Sequence, residues 1–98
     1  MKRPEQLRFR QLRQSLGQIF REWDPIGLIA GGAPADEYDP EIGTLLVLLG
    51  KVTEHELPAA WESDLNRWFG CRPWTGLDAV AARVWQAWQQ FQRTTPSP

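Results

Sequence analysis

Apolar side chains recur every three or four positions in four runs along this chain, and Gly, Pro and Asp punctuate the intervals. That period belongs to the α-helix, where it brings the residues to one face; a half-buried strand alternates every second residue instead. The first run covers about residues 5–22 and places Phe9, Leu12, Leu16, Ile19, Phe20 and Trp23 within one arc, with Arg3, Arg10, Gln14 and Arg21 on the other side. Pro4 suits a first helical turn, where its missing N–H costs nothing. Gly17 weakens the middle of this helix by up to ~1 kcal/mol and permits a close crossing.

The second run starts at Asp39 or Pro40 and ends at Leu49, with Gly50 as the C-cap residue. It is apolar nearly all round, a pattern that predicts a central, buried helix. The third presents Leu57, Trp61, Leu65 and Trp68 between Pro58 and Phe69. Thr53-x-x-Glu56 just ahead of it has capping-box spacing, but Pro58 would then lie too deep, so a short turn should precede the helix. The fourth opens at Thr75 and runs to about Gln92, with Leu77, Val80, Ala81, Val84, Trp88 and Phe91 inward and Trp85 at the edge of that arc. No repeat and no convincing strand interrupts this order. The prediction is an all-α fold: a compact bundle of about four helices, with a long ordered loop between the first and second. Residues 1–92 form the single domain, and 93–98 a flexible tail.

Ninety-eight residues suffice for one modest core. Six tryptophans, each able to bury ~150–250 Å², help to fill it. A single cysteine excludes an internal disulfide, and a single histidine excludes a multi-His metal site within one chain. The longest apolar run, Leu45–Leu49, is far short of a membrane span, and the charged start MKRPEQLRFRQLRQ has no apolar segment after it. These features lead to an expected cytoplasmic location. Charge is segregated along the chain. Residues 1–22 carry six Lys/Arg against two acids, residues 23–64 nine acids against Lys51 alone, and residues 65–98 four Arg against Asp78. The simplest use of this segregation is internal pairing; the other is an acidic face for a basic partner.

The segment WDPIGLIAGGAPADEYDP, residues 23–40, departs from the helical pattern. Asp24-Pro25-Ile26-Gly27 matches a type I turn, in which the Asp24 carboxylate can accept N–H groups of the turn it opens. Pro25 also keeps Asp24 out of the helical region and so stops the first helix. Asp39 reads as the N-cap of the second helix and Pro40 as its first residue. Gly31 and Gly32 allow an awkward bend between them. In this account the segment is a stop signal, a wrapped loop and a start signal.

Trp23-Asp24-Pro25-Ile26-Gly27, followed by Pro34 and Asp36-Glu37-Tyr38-Asp39, resembles the signature of a family of short uncharacterised bacterial proteins, in which WDPIG is followed by DEYD and a Leu/Ile-rich helix. The resemblance covers residues 23–49. It implies a small all-helical domain of unknown function in which Trp23, Asp24, Gly27, Asp36, Glu37, Tyr38 and Asp39 act together. It implies no catalytic residue.

Asp24, Asp36, Glu37, Asp39 and Glu41 could gather around a divalent cation, but they lack the spaced ligands and turn glycine of a calcium loop, and capping already occupies two of them. No cofactor or metal is therefore expected. Cys71, next to Arg72 but after a helix end, reads as a small buried or half-buried thiol before it reads as a nucleophile. The Arg3, Arg10, Arg21 stripe reads as a solvated face, and nucleic acid is not the expected partner. Trp74 and Trp85 are the candidate interface residues, since exposed Trp anchors many contacts, although core edge is the plainer role for both. No phosphate loop, dinucleotide fingerprint, zinc spacing or Ser elbow occurs. The functional expectation is a non-enzymatic protein-binding module. The alternatives are an immunity-type antidote that covers a basic toxin with the acidic segment 23–64, and a metal-dependent enzyme using the loop carboxylates.

Overall fold

The computed structural model describes residues 4–27, 30–32 and 38–93, with side chains from residue 7 onward. Four helices follow in order: α1 (Pro4–Trp23), α2 (Asp39–Leu49), α3 (Leu57–Phe69) and α4 (Leu77–Arg93). No strand occurs among the described residues, so the fold is the all-α bundle that the helical period demands. Helix α1 packs most extensively on α4 and also on α2, while α3 packs on both α2 and α4. The four helices thereby close a cycle around one core. Leu16, Phe20, Tyr38, Leu45, Trp61, Leu65 and Val84 form its centre, each essentially without solvent contact.

The apolar stripes mostly face inward. Phe9 is the exception on α1: it remains 43% exposed and touches Phe91 of α4 edge-on, at a centroid distance of 6.3 Å. Its place at the border of the arc, one turn from the helix start, leaves it with a neighbour on one side only. Trp68, Trp88 and Phe91 are half-buried residues at the rim of the core.

The central helix expected from the second run is a surface helix instead. Ile42, Leu45 and Leu49 of α2 are buried, but Val47 is 57% exposed and Leu46 and Leu48 are half-buried. With only eleven residues, α2 is flanked by α1 and α3 and its third side meets solvent. Composition gave the apolarity of this helix, whereas its position depends on how many neighbours the topology supplies.

Two helix starts also differ from expectation. Tyr38, not Asp39, occupies the N-cap position of α2, and its carbonyl already accepts the Ile42 N–H at 3.1 Å. Asp39 is thus the first helical residue, exposed, and contributes as an acid in the first turn rather than as a cap. Thr75 lies in a turn ahead of α4, because Gly76 at φ +77° breaks the helical path there. Before α3 both sequence signals operate. Thr53 and Glu56 form the reciprocal capping box, Thr53 N–H to Glu56 Oε1 at 2.8 Å and Glu56 N–H to Thr53 Oγ1 at 3.4 Å. The box closes the turn 54–56, and Pro58 then falls in the first turn of the helix, where it is tolerated.

Charge is paired less than the segregation suggested. Among the described residues Arg83 of α4 pairs with Glu22 of α1 at 2.6 Å, and Arg67 approaches Asp64 at 3.9 Å one turn away. Asp39, Glu41, Glu54, Glu56 and Glu62 of the acidic middle segment form no ion pair there. Glu54, Glu56 and Glu62 are exposed on α3 and the turn before it, Glu41 is half-buried on α2, and Asp39 borders the basic face of α1.

Candidate functional site

The end of α1 is built by Asp24. Its N–H donates to the Phe20 carbonyl at 2.7 Å and its φ is +46°, the left-handed closure that ends many helices. A non-Gly residue reaches this region at a cost, which short polar side chains offset by local hydrogen bonds. The Gly27 N–H then donates to the Asp24 carbonyl at 3.0 Å, so the turn 24–27 closes as its residues predict, with Pro25 inside it. Gly27 takes φ +75° and Gly32 φ +96°, conformations open to glycine without strain.

The Asp24 carboxylate works over a longer range than its own turn. Oδ2 accepts the Ala30 N–H at 2.9 Å, and Oδ1 accepts the Tyr38 hydroxyl at 2.7 Å. One side chain therefore joins the end of α1, the middle of the loop and the entrance of α2. Tyr38 is 1% exposed, and its ring stacks on Phe20 at 5.3 Å. Phe20 meets Trp61 edge-on at 5.8 Å, and Trp23 lies 5.3 Å from Trp61. The Trp23 indole N–H donates to the Thr75 carbonyl at 2.9 Å and so ties the end of α1 to the approach of α4. Hydrogen bonds and ring contacts thus link Trp23, Asp24, Gly27 and Tyr38, with Pro25 inside the turn. Asp36 and Glu37, the other members of the motif, lie outside the described residues, and Asp39 makes no side-chain cap.

Trp74 is core, which corrects its candidacy as an interface residue. It is 8% exposed, its indole N–H donates to Asn66 Oδ1 at 2.7 Å, and the Arg72 guanidinium covers its ring at 5.6 Å. The segment 70–76 folds back on α3, a return that spacing alone does not reveal. Trp85 is half-buried at the edge of α4. Cys71 is exposed rather than buried, because Gly70 at φ +82° turns the chain outward after α3.

A second feature comes from α1 and α2 together. Phe9, Arg10, Arg13, Gln14, Gly17 and Arg21 of α1, with Asp39 and Ile42 of α2, line a recess of about 480 Å³. The spacing 10–14–17–21 is one helical stripe, so these residues share a face. Gly17 forms the floor: it is buried, and a Cβ there would stand 3.6 Å from Ile42 Cδ1 and 3.3 Å from the Arg21 guanidinium. A Cβ there would make ordinary contact with Ile42 and would press only on the flexible end of Arg21, which lies against this part of the helix. Arg10, Arg13 and Arg21 form no ion pair among the described residues, although Asp39 borders the same recess. The sequence marked Arg10, Gln14 and Arg21 as one face; Arg13 was missed, and its only signal was the three-residue step from Arg10.

Two carboxyls carry a clear electrostatic signature, and both are exposed. Hydrogen bonds from Arg83 and then Gln18 hold the Glu22 carboxyl below its ordinary range. The Thr53 backbone N–H, then the Thr53 side chain, does the same for Glu56. Among the described residues no cluster of three His, Cys, Asp or Glu side chains could hold a metal ion, and no helix is long and apolar enough to cross a membrane.

Fold and site define a small four-helix protein with an architectural Asp24–Tyr38 clasp and a cationic recess between α1 and α2. No protein-family model matches the chain, and neither the curated proteins nor the solved structures contain a match.

Proposed function

We propose that this chain is a non-enzymatic protein-binding module that receives its partner in the α1–α2 recess. The observation that carries this reading is the convergence of Arg10, Arg13 and Arg21 on one recess, without ion pairs among the described residues. A partner that brings opposite charge to this surface meets several guanidiniums there, which favours its encounter and orientation. The WDPIG and DEYD residues are, in this reading, a mark of the fold and not a catalytic centre. Support comes from the engagement of both Asp24 carboxylate oxygens by Ala30 and Tyr38.

Affinity purification of the tagged chain from its native cell tests the proposal. A protein recovered in stoichiometric amount is expected, with binding that weakens as salt rises. Recovery of nothing above background would sink the module reading. A basic toxin as the recovered protein would move the contact surface to the acidic segment 23–64.

A further inference from the structure

We infer that the occupant of the α1–α2 recess is a carboxylate-bearing peptide segment of a partner protein, with an apolar side chain seated between its acids. This inference rests on the protein-binding reading above and names its partner class. The rim of the recess is cationic: Arg10 and Arg21 are exposed and Arg13 is half-buried. The remainder is apolar or neutral, from Ile42 and Gly17 at the floor to Phe9 and Gln14 at the wall. Guanidinium groups match carboxylates in a planar fork of two hydrogen bonds, and their weak hydration lets them do so beside apolar surface.

The other arginines differ in their surroundings. Arg83 is paired with Glu22, Arg72 is held by the Phe69 carbonyl and the face of Trp74, and Arg8 lies over the Phe91 ring; Arg67 is exposed and only approaches Asp64, and Arg93 stands alone among the described residues at the end of α4. Arg10, Arg13 and Arg21 have no such ion pair among the described residues.

A nucleic-acid strand would use the same donors but fits less well. It carries charge continuously, and the α2 side of the recess presents Asp39. Phosphates tracked past the recess would come within the ~8–10 Å over which exposed charges act on one another. A peptide segment places its acids only where the arginines stand. Phe9 then gains an apolar neighbour on the side that Phe91 leaves open.

The test is a titration of the isotope-labelled full chain, followed by amide shifts, with three probes: a Glu-Glu-Leu repeat peptide, its Lys-Lys-Leu counterpart, and oligo-deoxythymidine. Saturable shifts confined to residues 9–21 and 39–42 are expected with the acidic peptide only. Joint Arg10→Glu and Arg21→Glu substitution should weaken that binding by about tenfold or more, equivalent to about 1.4 kcal/mol, while Lys51→Glu beyond the far end of α2 should not. The paired variant Arg10→Gln, Arg21→Gln removes charge without reversing it and should weaken binding in the same direction. Equal binding of the basic peptide, tighter binding of the oligonucleotide, or shifts centred elsewhere would overturn the inference. If the native partner is retained by the doubly substituted chain, the assignment to this recess fails while the module reading stands. If nothing co-purifies with the unsubstituted chain, the module reading itself fails.

Discussion

Replacing Tyr38 by Phe removes one hydroxyl and keeps the ring that stacks on Phe20 at 5.3 Å. The hydroxyl donates to the Asp24 carboxylate at 2.7 Å from a side chain that is 1% exposed. A hydrogen bond to a charged group is worth about 1.5–3 kcal/mol net. Asp24 is half-buried, so water can partly replace the lost donor, which favours a cost of about 1–2 kcal/mol. Asp24→Ala should cost more, about 3 kcal/mol. It loses the same bond, the Ala30 N–H bond at 2.9 Å, and the tolerance of a positive φ, which Ala meets at a cost of ~1 kcal/mol. Asp24→Gly should recover only the backbone part. Urea unfolding at neutral pH reads these differences as a shift of midpoint at constant slope. The double-mutant cycle of Tyr38→Phe with Asp24→Ala should return a coupling of about 1 kcal/mol or more. A Tyr38→Phe loss below about 0.3 kcal/mol, or a cycle that is additive within that figure, would refute the clasp.

Glu22→Gln should lower stability at neutral pH, and the deficit should vanish in acid: a carboxyl whose folded pKa is depressed contributes above its unfolded pKa and loses that contribution as pH falls through the folded value, as urea melts from about pH 7 to about pH 3 will show. Thr53→Ala should cost about 0.5–2 kcal/mol and raise the Glu56 pKa only part of the way to its ordinary value, since the backbone N–H of residue 53 still donates to the carboxylate; carboxyl-carbon NMR titration reads the change. Trp74→Ala should cost about 3–5 kcal/mol, clearly more than the same change at half-buried Trp85; equal costs in thermal melts would contradict the burial of Trp74. Val47→Ser should stay within about 0.5 kcal/mol of the parent while Leu45→Ala costs about 2–5 kcal/mol, and a large Val47 effect in the monomer would return α2 to the centre of the fold.

The period of the apolar residues was enough, by itself, to determine four helices, most of their inward faces and the punctuation between them. These are local properties: spacing puts Leu77, Val80, Ala81 and Val84 on one face of α4, and that face is the buried one. The turn at Asp24–Gly27 and the capping box at Thr53–Glu56 were legible for the same reason, since each closes within four residues. Tertiary structure decided what depends on distant partners. Asp24 reaches Tyr38 fourteen residues away, and Tyr38, not Asp39, stands at the entrance of α2. Trp74 is buried because Asn66 accepts its indole and Arg72 covers it. Helix α2 is superficial because it has neighbours on only two sides, a property of the cycle of helices and not of its own residues. The cationic recess belongs to this second class. Arg10 and Arg21 were visible as a stripe, but only the docking of Ile42 over Gly17 gives that stripe a floor.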